Sequence, residues 1–117
     1  AILKAGQYPE SIAAFNGYLQ QFPASQHADN AQYWLAETHY VTNEYQTALK
    51  EFEIVIARFP DSRKVPDALL KMGYCSYELK NWDAARTSLT RVQTDYPETT
   101  AARLAGQRLQ RMQEEGV

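Results

Sequence analysis

The chain has 117 residues, of which 44% are hydrophobic and 22% are charged, so it is long enough for one compact domain or a short array of repeats. Its 12 basic and 14 acidic side chains give a net charge of −2, which provides no positive field for a nucleic acid backbone or an anionic membrane. The longest apolar runs, such as Ile54–Ala57, are far shorter than the roughly 20 residues that cross a bilayer. We therefore expect no nucleic acid partner and no membrane insertion.

The first residues carry no targeting signal. The chain begins at Ala1, without Met and without a basic segment followed by an apolar run, so we expect it to be a fragment whose targeting sequence has been removed. Residues 1–5 have the composition of the end of a helix whose beginning is missing. Gly6-Gln7 is predicted to form the turn that follows it.

An aromatic residue followed by proline recurs every 37 residues along the chain. The pairs are Phe22-Pro23, Phe59-Pro60 and Tyr96-Pro97. The same offset aligns further columns of similar residues, which are Tyr8, Tyr45 and Trp82; Ser11, Ala48 and Ala85; Phe15, Phe52 and Leu89; Ser25, Ser62 and Thr99. A fixed period of this length is the signature of a solenoid built from repeated helix pairs.

Apolar residues at helical spacing predict two helices in each repeat. In chain order the predicted helices cover Pro9–Phe22, Asn30–Thr42, Gln46–Phe59, Pro66–Lys80, Asp83–Tyr96 and Thr100–Glu114. Each proline ends a helix, because the residue before it is biased out of the helical region, and the Ser or Thr that follows can cap the next helix. Turns are predicted at Asn43-Glu44 and Lys80-Asn81, since Asn tolerates a positive φ. The last helix has an apolar side and a Gln- and Arg-rich side, as a terminal cap needs.

The spacing of Ala48, Phe52 and Pro60 resembles the second helix of a tetratricopeptide (TPR) repeat. Leu35-Ala36 and Met72-Gly73 resemble the Leu-Gly step of its first helix, where a small residue lets the paired helix approach closely. Departures from the motif are Gln32 and Leu69 in place of Trp, and His39 and Ser76 in place of Tyr. The resemblance implies an all-α, right-handed TPR superhelix of helix-turn-helix units, with a partial repeat over 1–23, repeats over 24–60 and 61–97, and a C-terminal capping helix over 98–117.

Several segments resemble the C-terminal domain of the YbgF family, also called CpoB. They are Leu3–Tyr8, Ala31–Glu37, Phe59–Ser62, Lys64–Tyr74 and Tyr96–Ala102. This resemblance implies a periplasmic protein of the Tol-Pal system, with a signal peptide in the precursor and a trimerising N-terminal coiled coil. It also implies TolA and other Tol-Pal or peptidoglycan-synthesis proteins as partners, and a role in coordinating outer-membrane constriction with cell-wall synthesis during cell division.

No heptads occur in these 117 residues, so a trimer is expected only with the missing coiled coil. The alternative interpretation is a TPR scaffold of another bacterial envelope assembly, such as an outer-membrane biogenesis lipoprotein. Residues upstream of Ala1 would separate the two, because a lipoprotein carries a lipidated Cys after its signal and the YbgF family carries heptads.

Catalytic and metal-binding patterns find little support in the sequence. His27 and His39 are 12 residues apart, with no Cys or carboxylate at metal-ligand spacing, so we expect His27 in a loop and His39 packed between helices. No Gly-rich phosphate loop is present. Cys75 has no cationic residue within three positions on either side, which favours a packed residue over a reactive thiol. We expect no enzymatic activity, no cofactor, no metal and no small-molecule substrate.

A row of tyrosines marks the candidate binding site. In TPR arrays the first helices line a concave groove, and the groove positions here are Asn30, Tyr33, Glu37, Tyr40, Val41, Asp67, Leu70, Tyr74, Tyr77 and Glu78. Tyrosine combines a large contact area with a polar tip and is frequent at binding hot spots, although a single Tyr can instead fill the seam between repeats. The acidic groove residues do not suit a C-terminal carboxylate, and they favour a segment with apolar and a few basic side chains, steered by Glu37 and Glu78.

Overall fold

The computed structural model describes residues 8–22 and 27–117. These residues form six helices: α1 (Tyr8–Gln21), α2 (Ala28–Val41), α3 (Tyr45–Arg58), α4 (Val65–Glu78), α5 (Trp82–Asp95) and α6 (Thr100–Glu115). Each bound lies within two residues of the one that the sequence predicts, and the predicted all-α TPR superhelix is confirmed. The predicted helix end at 1–5, the turn at Gly6-Gln7, and the residues Pro23 and Ser25 lie outside the described residues. None of the described helices has the length and apolar content that a membrane crossing needs.

The helices pack in chain order and also between successive pairs. α2 packs on α3, α4 packs on both α3 and α5, and α6 packs on α5. A further contact joins α4 to α6. α4 is the first helix of the α4–α5 pair, and α6 is the helix that follows this pair. We call the surface carried by α2, α4 and α6 the first-helix face.

The core consists of two clusters that repeat the same column of the sequence. Phe52 of α3 lies at the centre of one cluster, with Ala36, Val55 and Ala68. Leu89 of α5 lies in the other, where it packs with residues of α4 and α6. Phe52 and Leu89 are both 0% exposed. The 37-residue column therefore marks a core position in α3 and α5, whereas Phe15, the member of the same column in α1, is half-buried.

Small residues at one position of the first helices allow the two helices of a pair to cross closely. A Cβ atom added to Gly73 would lie 2.6 Å from the Leu89 side chain, which is closer than packed carbon atoms can approach. Ala36 holds the corresponding position in the preceding pair and is 0% exposed. This agrees with the role that the sequence predicts for the small residue of the Leu-Gly step.

Two of the helix-ending turns contain a non-glycine residue with positive φ. These residues are Asn43, with φ of 65°, and Lys80, with φ of 62°. The N–H of Asn81 donates to the carbonyl of Ser76 at 2.8 Å, as in a Schellman motif. The turn at Lys80-Asn81 is present as predicted, but Lys80, and not the more tolerant Asn81, adopts the left-handed conformation. Lys80 occupies the same position of its repeat as Asn43, 37 residues earlier, and the turn has its positive φ at that position in both repeats.

Replacing Lys80 by glycine should stabilise the protein by about 0.5–1 kcal/mol, because glycine adopts a left-handed conformation without the steric cost that a Cβ atom brings. For a chain of this size the melting temperature should rise by about 3 °C. Asn43→Gly is the comparison at the equivalent position, and it should gain less, since Asn already tolerates this conformation and its Oδ1 accepts a hydrogen bond from the Tyr45 hydroxyl at 2.8 Å. Thermal melts of the two variants check this, and a lower melting temperature for Lys80→Gly would contradict it.

The Ser and Thr residues after the prolines cap the next helix only where that helix starts at once. Thr99 lies directly before α6, and its hydroxyl accepts a hydrogen bond from Ala102 N at 3.1 Å. Ser62 does not cap α4, because α4 begins three residues later, at Val65. Its hydroxyl accepts from Lys64 N at 3.0 Å and donates to Asp29 Oδ2 at 2.5 Å. Ser62 thus ties the loop before α4 to the start of α2.

Cys75 is fully buried in the cluster that contains Phe52. Burial raises the pKa of its thiol to about 12, and Lys71, one helical turn earlier, opposes this only in part. The residue is packed, as the sequence predicts.

In the folded protein Cys75 should react with a thiol reagent at least about a hundredfold more slowly than in denaturant, since the thiolate is the reactive form and reaction requires local unfolding. Absorbance at saturating reagent, with the unfolded chain as control, measures both rates. Equal rates in the folded and unfolded chain would contradict the burial of Cys75.

Candidate protein-binding face

Two of the ten predicted groove residues lie in the core. Tyr33 is 6% exposed, and its ring centroid lies 5.5 Å from that of Phe52. Leu70 is 3% exposed and belongs to the cluster that contains Leu89. These two side chains support the first-helix face from beneath and offer almost no surface to a partner. Tyr33 therefore fills the interior and is not a binding residue of the groove.

Four others lie at the margins of the first-helix face. Asn30 is exposed near the start of α2, where its Oδ1 accepts a hydrogen bond from Trp34 Nε1 at 3.2 Å. Val41, at the end of α2, is 40% exposed. Asp67 is half-buried near the start of α4, and Glu78 is exposed at its end. The structure does not gather these four into one cluster.

The remaining residues, Glu37, Tyr40, Tyr74 and Tyr77, come together on α2 and α4. All are half-buried, and the rings of Tyr40 and Tyr74 have centroids 6.5 Å apart. Tyr40 also meets Tyr45 edge-on at 5.6 Å, and Tyr77 meets Trp82 in the same way at 5.4 Å. The rings of Tyr40 and Tyr77 therefore pack within their own repeats, that of Tyr74 packs on the preceding repeat, and all three remain partly exposed. We call Tyr40, Tyr74 and Tyr77 the tyrosine row.

Three cations lie over the tyrosine row, namely Lys71, Arg108 and Arg111, and none of them was among the predicted groove residues. The Nζ atom of Lys71 lies 4.8 Å from the ring centroid of Tyr40, and Arg108 Cζ lies 4.1 Å from that of Tyr74. Arg108 also lies 4.8 Å from the Tyr77 centroid. Such contacts contribute about 0.5–2 kcal/mol each, depending on solvent exposure. They join α2 to α4 and α4 to α6, so they bind successive repeats together.

A signal for two of these cations exists in the sequence. Lys71 and Arg108 are 37 residues apart and occupy the same position of consecutive first helices. Lys71 also precedes Tyr74 by three residues, which places both on one helix face. We expected the Arg-rich side of the last helix to face solvent, whereas Arg108 is half-buried against Tyr74.

Glu37 is already paired within the protein. Its Oε2 lies 3.3 Å from Lys71 Nζ, and the two side chains are 14% and 20% exposed. The other carboxylate oxygen, Oε1, is buried and has no hydrogen-bond partner among the described residues. Because Lys71 balances its charge, Glu37 presents little free negative charge to a partner. Of the two glutamates predicted to steer basic residues, Glu78 is the exposed one.

A hydrogen-bonded group closes the row at its C-terminal end. The Tyr77 hydroxyl donates to Glu115 Oε1 at 2.5 Å, and Arg111 Nε donates to Glu115 Oε2 at 3.2 Å. These bonds lower the pKa of Glu115, and the bond to Glu115 raises the pKa of Tyr77. Burial raises the pKa of Tyr40 to about 12. The Tyr40 and Tyr77 hydroxyls are therefore neutral near pH 7, and the one proton of the Tyr77 hydroxyl is already donated to Glu115.

The arrangement suits binding of a polypeptide. It offers half-buried aromatic rings with polar tips, which is the chemistry that is frequent at protein hot spots. Within residues 8–22 and 27–117, no three His, Cys, Asp or Glu side chains come together at metal-ligand distances. His39 is 13% exposed and its Nδ1 lies 3.3 Å from Glu44 Oε1, which makes it a packed, hydrogen-bonded residue as expected. His27 lies just before α2.

The comparisons with known proteins agree with this fold. One tetratricopeptide repeat model matches residues 1–63, and a second tetratricopeptide repeat model matches residues 67–99. Cell division coordinator CpoB of Pseudomonas putida strain KT2440 is 38% identical over 45 residues, and a second Pseudomonas putida sequence of that name matches equally well.

The match to CpoB covers 38% of this chain and 17% of the length of the curated relatives. It supports the resemblance to CpoB that the sequence motifs indicate. The two repeat models between them cover more than half of the chain. The chain belongs to the tetratricopeptide repeat family.

Proposed function

We propose that this chain is the protein-binding module of a cell-division coordinator of the CpoB type. In this proposal it works in the periplasm and binds TolA through the first-helix face. It thereby helps the Tol-Pal system coordinate outer-membrane constriction with cell-wall synthesis during division. The match to Cell division coordinator CpoB supports the process, and the sequence resemblance to the YbgF (CpoB) family supports the partner and the compartment.

The tyrosine row is the observation that carries the binding proposal. Tyr40, Tyr74 and Tyr77 lie half-exposed on two neighbouring first helices, and the cations above them hold the rings in fixed positions. A rigid aromatic side chain binds with a small loss of conformational entropy. The bound segment is one with apolar side chains for the rings, while exposed Glu78 attracts basic residues.

Calorimetric titration of the chain with purified fragments of TolA tests the proposal. We expect saturable binding with one fragment per chain, and we expect affinity to weaken with salt only modestly, since rim charges act mainly on the association rate. Arg86→Ala is a suitable control, because Arg86 lies on α5, away from the first-helix face, and is exposed. If no TolA fragment bound a chain that circular dichroism shows to be folded, the alternative of a scaffold in another envelope assembly would be favoured.

A further inference from the structure

A recess of about 190 Å³ opens on the first-helix face where α4 meets α6. Its lining residues are Tyr74, Leu104, Gln107, Arg108 and Arg111. The recess lies beside the C-terminal end of the tyrosine row, so a segment bound along the row would pass over it. The cations that line the recess, Arg108 and Arg111, indicate which type of side chain that segment places in it.

The cations around this recess differ in what balances their charge. Lys71 is paired with Glu37 at 3.3 Å, and Arg111 is paired with Glu115 at 3.2 Å. Arg108 has no ion pair or side-chain hydrogen bond to a carboxylate within the part of the chain that the structure describes, although its charge helps to lower the pKa of Glu115 from a longer distance. It is nonetheless half-buried. A half-buried guanidinium without a carboxylate partner is a site where an anionic group from outside can bind favourably.

The surroundings of Arg108 favour a planar, bidentate ligand. Its guanidinium lies over the rings of Tyr74 and Tyr77, at 4.1 and 4.8 Å from their centroids. No carboxylate among the described residues accepts a hydrogen bond from its N–H groups, and the edge of a guanidinium matches the two oxygens of a carboxylate. Exposed Gln107 adds an amide donor to the same recess.

We propose that the recess binds an acidic side chain, Asp or Glu, of the protein segment that occupies the first-helix face, with Arg108 as its bidentate partner. This inference rests on the proposed function, since it assumes a segment on that face. A C-terminal carboxylate is a poorer fit, because gripping one takes several free donors and the charges of Lys71 and Arg111 are already balanced. The segment therefore carries an acidic residue here, in addition to any basic residues near Glu78.

Two capped peptides test this without knowledge of the natural partner. One is built from Ala, Leu and Glu, acetylated at its N-terminus and amidated at its C-terminus, and its twin has Gln at every Glu position. Titration of the ¹⁵N-labelled chain, followed through the backbone amide signals of α4 and α6, gives both affinities for the wild-type chain and for every variant. We expect the Glu peptide to bind about tenfold more tightly than the Gln peptide, as the loss of a charge-assisted hydrogen bond implies.

Variants decide whether Arg108 causes the preference. Arg108→Gln should abolish it, whereas Arg103→Gln, an exposed change on the same helix, should leave it intact. Arg108→Lys retains a cation over the rings and should keep only part of the preference. A partial loss in this variant cannot result from misfolding caused by removal of the cation, as a loss in Arg108→Gln could. Equal affinities for the two peptides, binding of neither, or an unchanged preference in Arg108→Gln would overturn the inference.

The outcome is separable from that of the proposed function. A chain that prefers the Glu peptide but binds no TolA fragment would retain the acidic-residue site and lose TolA as its partner. A chain that binds TolA with full affinity in Arg108→Gln, and prefers neither peptide, would retain the proposed function and lose the acidic-residue site.

Discussion

Truncation of Phe52 to alanine should lower the free energy of unfolding by about 3–5 kcal/mol, because deleting a buried aromatic ring removes its transfer free energy and leaves a cavity. The Phe52 side chain is 0% exposed in the cluster that joins α2, α3 and α4, and its ring meets that of Tyr33 at 5.5 Å. Chemical denaturation monitored by circular dichroism measures the change.

Gln46→Ala provides the surface control on the same helix, since Gln46 is exposed. Leu89→Ala tests the equivalent position of the next repeat and should cost about 2–5 kcal/mol. If Phe52→Ala destabilised the protein no more than Gln46→Ala does, the assignment of the 37-residue column to the core would be incorrect.

Replacing Tyr40 and Tyr77 together by alanine should weaken binding of a TolA fragment by roughly thirtyfold or more, which corresponds to about 2 kcal/mol. Both residues are half-buried on the first-helix face, and each lies against a cation from the next repeat. The double variant removes ring surface that a partner would cover. Calorimetry at a temperature well below the melting point of the variant measures the affinity.

The structure also supplies the control that this experiment needs. Tyr40 and Tyr77 pack on Tyr45 and Trp82, so part of any loss could follow from loosened repeats. Replacement of both tyrosines by Phe keeps that packing and removes only the hydroxyls, and it should weaken binding much less. Full affinity in a folded Tyr40→Ala, Tyr77→Ala variant would place the binding site elsewhere.

The helices could be predicted from the sequence because their determinants are local. Helical spacing of apolar residues, the aromatic-proline pairs and one constant period placed all six described helices within two residues. The period also identified Phe52 and Leu89 as core positions, since equivalent positions of neighbouring repeats share one environment, while Phe15 in α1 is half-buried.

The surface of the candidate site depends on contacts between repeats, which the period alone does not give. Whether Tyr33 lies in the groove or beneath it depends on how closely α3 approaches, and the structure places its ring against Phe52. The pairing of Glu37 with Lys71 joins residues 34 positions apart, on different first helices. The packing of Arg108 on Tyr74 likewise depends on how α6 sits against α4.

These contacts change the electrostatic character expected of the groove. Glu37, Asp67 and Glu78 in the sequence predict an acidic groove. In the structure Lys71 balances Glu37, and Arg108 adds a cation without a carboxylate partner among the described residues. The first-helix face is therefore one of mixed charge around an aromatic row.

Chemical-shift mapping with a TolA fragment shows whether the first-helix face is the binding site, because it locates the bound segment on the protein. The ¹⁵N-labelled chain is titrated, and the amide shifts are assigned to helices. We expect the largest changes on α2, α4 and α6, around Tyr40, Tyr74 and Arg108. Changes concentrated on the exposed side of α5, around Arg86 and Thr90, with the first-helix face undisturbed, would contradict it.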